Sequence, residues 1–104
     1  MTSYRLLRDA ETRVDEIFDY TYGRWGEEQA TRYFQGLIGR FAAIAARKLP
    51  WRQIPASYGV DGYYCSYEYH LIYWRELADG SVGIVTVLHE RMSQPRLVRE
   101  AFND

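Results

Sequence analysis

The sequence predicts an α+β fold in which an N-terminal strand and an antiparallel helical hairpin precede an antiparallel sheet, and a short helix closes the chain. Apolar residues recur at helical spacing through residues 14–45, whereas β-branched and aromatic residues dominate residues 63–89. Between the last two apolar runs lies Asp79-Gly80, a strong hairpin turn. The expected order is β-α-α-β-β-β-α, and 104 residues suit one domain over residues 1–104.

The first half of the chain is expected to be a short strand followed by two helices. Residues 4–7 are the strand, and Asp9 is placed to cap a helix that ends near Arg24. A second helix is expected over residues 27–48, and the short junction at Gly26 makes the two helices fold back as a hairpin. The predicted inner stripe of the second helix is Ala30, Tyr33, Phe34, Leu37, Ile38, Phe41, Ala42 and Ala45.

The second half is expected to be mainly β. Residues 49–55 contain Pro50 and Pro55 and are interpreted as an irregular connector. Strands are predicted over residues 63–67, 69–77 and 81–89. Ser93 and Pro95 suit the start of a closing helix over residues 96–102.

Composition and motifs exclude several classes of function. A net charge of −1 gives no global attraction to nucleic acid. The single Cys65 excludes an internal disulfide and favours a reducing compartment; with no signal peptide and no apolar run of membrane-spanning length, we expect a cytoplasmic protein. One cysteine and two separated histidines predict no metal site, and no phosphate-binding loop or nucleophile elbow is present. We therefore expect no cofactor.

The end of the last strand carries the most informative polar groups. His89 and Arg91 would lie two apart on one face of an extended chain, where they could hold a phosphate or stabilise an oxyanion. Alternatively, His89 caps the sheet edge and Arg91 pairs with a helix carboxylate. Arg96 and Arg99 extend this set either as a small basic patch or as a solvated helix face. His70, inside a strand, is interpreted as a structural histidine, with an acid–base role as the alternative.

The aromatic residues offer surfaces for a partner. Six of the ten tyrosines lie within residues 58–73, and tyrosine suits both strands and interfaces. Trp25 and Trp51 flank the helical hairpin, where they either anchor a partner or pack under a loop.

The chain resembles the ParE branch of the ParE/RelE toxin superfamily over nearly all of its length. The resemblance rests on five segments in order: Tyr4-Arg5-Leu6, Asp15-Glu16-Ile17-Phe18-Asp19-Tyr20-Thr21, Arg24-Trp25-Gly26-Glu27-Glu28-Gln29-Ala30, Tyr69-His70-Leu71-Ile72-Tyr73 and Val87-Leu88-His89-Glu90-Arg91-Met92. It implies the same α+β fold and a toxin of a type II toxin–antitoxin system.

One branch of the superfamily, the RelE-like toxins, cleaves messenger RNA on the ribosome. The two lysines of such enzymes fall near Asp61 and Tyr63 here, the strand arginine is replaced by His70, and the late tyrosine by Leu97. Only Arg91 is retained, although Tyr63 and His70 could substitute for missing groups. A ribosome-dependent nuclease is therefore the alternative, and a non-toxic member that only binds antitoxin and regulates its operon is a third interpretation.

The ParE resemblance implies a protein inhibitor of DNA gyrase rather than an enzyme. It would stabilise the complex in which DNA is cleaved, and a ParD-type antitoxin with a ribbon-helix-helix region and a flexible tail would neutralise it. DNA would be contacted only indirectly, through antitoxin and gyrase. The predicted target-binding residues are His89, Arg91, Met92, Arg96 and Arg99, and the predicted antitoxin-binding residues are Trp25, Trp51, Tyr58, Tyr64, Tyr67 and Tyr73.

Overall fold

A computed structural model describes residues 3–104 and confirms the predicted α+β class. Within that range the helices are α1 (Arg8–Trp25), α2 (Glu27–Ala45) and α3 (Gln94–Phe102). The strands are β1 (Tyr4–Leu6), β2 (Arg52–Gln53), β3 (Tyr63–Tyr67), β4 (His70–Glu76) and β5 (Val82–His89), and a 3-10 turn covers Ala56–Tyr58. No helix in this range is long and apolar enough to cross a membrane.

The strands form one mixed sheet in the order β1-β5-β4-β3-β2. The pairs β3–β4 and β4–β5 are antiparallel, as predicted, whereas β1 joins β5 in parallel, with Tyr4 opposite Val82. A parallel pair needs a long connection between its strands, and the two helices and the three strands between β1 and β5 provide it. The two-residue β2 lies in the segment expected to be irregular and pairs with Tyr63 and Tyr64.

Both faces of the sheet are covered. The helical hairpin packs Leu37 and Phe41 of α2 against Ile72 and Ile84 of the sheet, and all four are nearly inaccessible to solvent. On the opposite face, α3 packs Val98 and Phe102 against a second cluster, which includes Tyr73, Val85 and Leu88. Because β5 is central and buried on both sides, its sequence is a continuous apolar run rather than an alternating one.

The start of α1 differs from the prediction. Helix α1 begins at Arg8, and the residue before it makes no side-chain capping hydrogen bond, so the prediction that Asp9 caps this helix is wrong. Asp9 instead accepts a 2.5 Å hydrogen bond from the hydroxyl of Thr86, which is fully buried in β5, and lies 3.5 Å from Nε of Arg13. A buried hydroxyl needs a partner, and this need decides where the carboxylate lies.

Helix α2 ends earlier than expected and buries fewer residues. Arg47 has a φ of 59°, and the N–H of Lys48 donates to the carbonyl of Ala43 at 3.0 Å, a closing motif that usually carries glycine. The predictions that Phe34 and Ala42 are core residues are wrong, because both are exposed. The Phe34 ring contacts Phe18 of α1, 5.8 Å between centroids, at the side of the hairpin rather than over the sheet.

Candidate functional site: a groove at the end of β5

A groove of about 610 Å³ lies where β5 ends and β4 begins, with α1 and the start of α2 as its other wall. Aromatic and apolar side chains dominate it, and arginine, glutamate and histidine side chains supply the polar groups. Its lining residues are Arg13, Glu16, Ile17, Tyr20, Thr21, Arg24, Trp25, Gln29, Tyr33, Tyr69, His70, Val87, His89 and Met92. A mostly apolar cleft with a few polar groups is the usual form of a binding site.

Two histidines and a tyrosine form a cluster in the groove. His70 and His89 are paired across β4 and β5, with ring centroids 5.3 Å apart and planes at 83°. Nδ1 of His70 is hydrogen-bonded to the hydroxyl of Tyr33 at 2.6 Å. Burial, with a smaller effect of His89, lowers the pKa of His70 to about 4, and burial also raises the pKa of Tyr33. Both groups are therefore neutral at physiological pH.

Hydrogen bonds fix the turn that leaves β5. Nδ1 of His89 accepts the backbone N–H of Arg91 at 3.1 Å. The amide of Gln94 donates to the carbonyls of His89 and Met92, at 2.8 and 3.0 Å, and accepts from the hydroxyl of Tyr73 at 2.7 Å. Every polar atom of the Gln94 side chain is thus used to hold residues 89–94. The strand ends at His89, so the prediction that His89 and Arg91 share a face of an extended chain is wrong: Arg91 lies in the turn.

The α1 wall of the groove is aromatic and basic. Tyr20 and Trp25 are 66% and 57% exposed, and the guanidinium of Arg24 lies over the Trp25 ring, 5.2 Å from its centroid. Arg13 is engaged with Asp9 and Glu16, whereas no ion pair within residues 3–104 includes Arg24. This wall therefore offers ring surface and a positive charge to a ligand.

Comparisons with known proteins assign the chain to a family. The family described as "ParE toxin of type II toxin-antitoxin system, parDE" matches residues 4–94. The chain belongs to the ParE toxin family. The resemblance found in the sequence is thereby confirmed.

Relatives in several bacteria match along most of their length. Toxin ParE1 of Mycobacterium tuberculosis is 33% identical over 96 residues, which cover 89% of this chain and 94% of the relative. Toxin ParE1 of Caulobacter vibrioides is 34% identical over the same length and coverage, and Toxin ParE of Escherichia coli is 31% identical over 93 residues, 88% of each chain. A solved structure, "Chromosomal ParDE TA system from P. aeruginosa", shares the fold, with a TM-score of 0.67, 18% identity and coverage of 86% of this chain and 96% of that one.

In this ParE-family chain the predicted target-binding residues occupy two surfaces. His89 and Met92 line the groove, and Arg91 is exposed in the turn beside it. Arg96 and Arg99 lie on α3, which packs on the opposite face of the sheet. There Arg96 pairs with Glu100 at 3.2 Å and Nε of Arg99 donates to the carbonyl of Tyr58 at 3.0 Å. Their role as target contacts stays a prediction.

The predicted antitoxin-binding residues are also dispersed. Trp25 lines the groove, Tyr67 lies nearby against Tyr33, and Trp51 is 52% exposed at the far end of the sheet. Tyr58 and Tyr64 pack on the α3 face. The prediction that Tyr73 binds the antitoxin is wrong. Its side chain is 1% exposed and its hydroxyl is hydrogen-bonded to Gln94, so it belongs to the core and has no surface for a partner.

The residues that could substitute in a nuclease do not converge. Tyr67, not Tyr63, is the residue of β3 paired with His70, and the two tyrosines are four residue steps, or about 13 Å, apart along the strand. The ring of Tyr63 instead contacts Trp51, 4.7 Å between centroids. Tyr63, His70 and Arg91 therefore form no common phosphate-sized site. No cluster of three metal-ligating side chains occurs in residues 3–104 either.

Some residues at this site are not predictable from the sequence alone. Helical spacing places Tyr33 in the core stripe, yet its hydroxyl binds His70. Gln94 carried no signal beyond its polar amide between Ser93 and Pro95, although it holds the whole turn. The sequence marks Arg24 as a helix end and as part of a segment shared with the ParE family; its position beside Trp25 is the available indication that it belongs to the groove.

Proposed function

We propose that this chain is a cytoplasmic toxin that inhibits DNA gyrase by stabilising its cleaved-DNA complex, and that a ParD-type antitoxin neutralises it. Membership of the ParE family supports this proposal. The observation that carries it is the groove at the end of β5, where His89 and Met92 meet the aromatic wall of α1 and Arg91 projects from the fixed turn. This arrangement is suited to binding a protein surface.

The chemistry of the groove favours binding over bond-making. A general base for RNA cleavage should have a pKa near the working pH, but the pKa of His70 is about 4 and its Nδ1 is already bound to Tyr33. A gyrase poison needs no such group. It needs only a higher affinity for the cleaved state of the enzyme than for the other states, which enriches the cleaved state.

The groove also supports an antitoxin partner. A disordered antitoxin tail that orders on binding would cover exposed rings such as Tyr20, Trp25 and Tyr69 with its apolar side chains. An acidic residue in that tail would pair with Arg24. The solved structural relative is a ParDE system, in agreement with a toxin that is held by a partner.

The test is inducible expression without antitoxin, with DNA breaks and translation measured separately in the same cells. We expect double-strand breaks and an SOS response while translation continues. Arg91→Ala should reduce the breaks, whereas Arg75→Ala, an exposed arginine on β4, should not. Arg96→Ala then tells whether the α3 surface contributes.

Two outcomes would contradict the proposal. Immediate translational arrest with cleaved messages and intact chromosomes would identify a ribosome-dependent nuclease. Unchanged growth, with antitoxin binding retained, would identify a non-toxic regulatory protein. Purified gyrase with supercoiled plasmid gives the direct measurement, because a poison should increase linear, enzyme-linked DNA in proportion to its concentration.

A further inference from the structure

A second, smaller pocket lies at the opposite end of the sheet from the groove. Its volume is about 60 Å³, and it is formed where the end of α2 and the following connector meet β3 and β4. Three aromatic side chains, Trp51, Tyr63 and Trp74, line it together with Glu76 and Arg47. Of its residues, only Trp51 belongs to the predicted gyrase and antitoxin contacts.

The aromatic rings form angled walls. The centroids of Trp51 and Tyr63 are 4.7 Å apart with planes at 72°, and those of Tyr63 and Trp74 are 6.1 Å apart with planes at 36°. Trp74 is 4% exposed and Trp51 is 52% exposed, so the pocket has a fixed floor and an accessible wall. Ring faces carry partial negative charge and attract a cation, most strongly where several rings surround it.

The charged residues of the pocket are Glu76 and Arg47. Glu76 supplies a carboxylate, which is 3.6 Å from the guanidinium of Arg47. Both side chains are largely exposed, at 55% and 43%, so their ion pair is weak and a ligand can compete for Glu76. In residues 3–104 the cation–π contacts are those of Arg24 with Trp25 and Arg40 with Tyr67, so no cation of the described chain covers the rings of the pocket.

We propose that this pocket binds an organic cation with a head of guanidinium or quaternary ammonium type. The charge would lie against the rings of Trp51 and Tyr63, and Glu76 would be its counter-ion. The pocket is much smaller than the groove, about 60 Å³ against about 610 Å³, so it suits a head group of a few heavy atoms rather than a large ligand. The cation is either a free small molecule or a side chain of a partner protein.

The experiment is an NMR titration of the full chain that follows its indole N–H signals. Trp51 and Trp74 lie at the pocket and Trp25 lies in the groove, so the chain contains its own control. Choline should shift the Trp51 and Trp74 signals saturably, with half-saturation at or below about 10 mM, and leave Trp25 unchanged. The neutral isostere 3,3-dimethylbutan-1-ol should bind at least about tenfold more weakly, since it lacks the charge.

A second pair of probes distinguishes the sources of the cation. N-acetyl-arginine amide and its neutral citrulline analogue test recognition of a protein side chain. Tighter binding of the arginine probe than of choline assigns the pocket to a partner protein, and the reverse order assigns it to a free ammonium compound. Either order of the two affinities supports the cation site, provided that the neutral analogues bind more weakly than the charged probes.

Variants with little structural risk complete the test. Trp51→Ala and Glu76→Gln change exposed side chains and should each weaken cation binding about threefold to thirtyfold. Trp25→Ala is the matched tryptophan control and should leave binding unchanged. Equal binding of charged and neutral probes, no saturable shift up to about 50 mM, or full binding by Trp51→Ala would each overturn the proposal. These results do not depend on gyrase or antitoxin, so failure here leaves the toxin proposal intact.

Discussion

The two ends of the sheet are built from the same strands but are held together differently. At the groove end, β4 begins and β5 ends among hydrogen-bonded polar groups. Tyr33 is hydrogen-bonded to His70, and Gln94 is hydrogen-bonded to the carbonyl of His89, where the turn begins. At the pocket end, β3 begins and β4 ends among the rings of Trp51, Tyr63 and Trp74. We therefore expect the stability of the groove end to depend on directional hydrogen bonds and on the protonation of His70. That of the pocket end should depend on the packing of the aromatic rings.

The difference also separates the functions proposed for the two ends. A half-buried polar network fixes the position of a turn, which suits a surface that must fit one target closely. The aromatic pocket has little directional preference and would accept any cation of suitable size. Specific recognition is therefore expected at the groove and permissive binding at the pocket.

The largest expected effect comes from exchanging a tryptophan for alanine at each end. Trp74→Ala removes a side chain that is 4% exposed and should destabilise the fold by about 3–5 kcal/mol. Trp25→Ala removes one that is 57% exposed and should cost less than about 1 kcal/mol. Urea unfolding of both variants measures the two losses of stability. The dependence of the unfolding free energy on urea concentration should be the same as in the wild type. Similar losses would show that the groove end is also held by packing.

The next effect is a pH dependence that belongs to the groove end. The pKa of His70 is about 4 in the folded chain against an ordinary 6.5. Below pH 6.5 the unfolded chain therefore binds a proton that the folded chain does not. Stability should fall as the pH is lowered from about 6.5 to about 4. The loss should be about 1–3 kcal/mol.

Denaturant unfolding across this pH range is the measurement, and His70→Asn is its control. Asparagine keeps a polar atom near the position of Nδ1 and does not titrate, so the variant should lose this part of the pH dependence. Trp51→Ala, at the other end, should keep it. If the His70→Asn and wild-type curves remained parallel over the range, the low pKa of His70 would not contribute to stability.

The smallest expected effect compares two residues with left-handed backbone, one near each end. Glu68, with a φ of 52°, lies in the turn between β3 and β4, and Arg47, with a φ of 59°, ends α2. Glu68→Gly should stabilise the chain by about 0.5 kcal/mol, because relief of strain exceeds the entropy that glycine loses. Arg47→Gly should have almost no net effect, since it also removes the pair with Glu76.

Thermal unfolding compares the two glycine variants. The melting temperature is expected to rise by about 2–4 °C in Glu68→Gly. Glu68→Ala is the matched control, because it removes the same charge and keeps the strained backbone. An equal rise in both Glu68 variants would attribute the effect to the charge near Tyr33 and Tyr67 rather than to the backbone.

Local patterns predicted the order of elements because helix periodicity and the Asp79-Gly80 turn are signals within short segments. They did not predict the parallel pairing of β1 with β5, which joins residues almost 80 positions apart. Nor could they place Asp9, since its partner Thr86 lies at the other end of the chain. The end of α2 was missed because an arginine stands where glycine is the usual signal.

The candidate site was predicted in part for the same reason. The polar residues His89 and Arg91 at the end of an apolar strand drew attention to this region; His89 lines the groove with Met92, and Arg91 is exposed beside it. The proximity of His89 and Met92 to Trp25 and Tyr33 results from the tertiary fold, so local sequence spacing does not indicate it. Tyr73 was misplaced because an alternating aromatic strand does not show which face is buried when both faces are covered.

The position of β5 determines when this molecule can fold as it is synthesised. It lies in the sheet between β1 and β4, yet it follows both along the chain. At roughly 5–20 residues per second, β1 waits several seconds on the ribosome for its partner. His89, Arg91 and Met92 emerge later still, so the proposed target surface forms only after nearly all the described chain has been made. The proposed activity is therefore expected only after the chain as far as Met92 has left the ribosome.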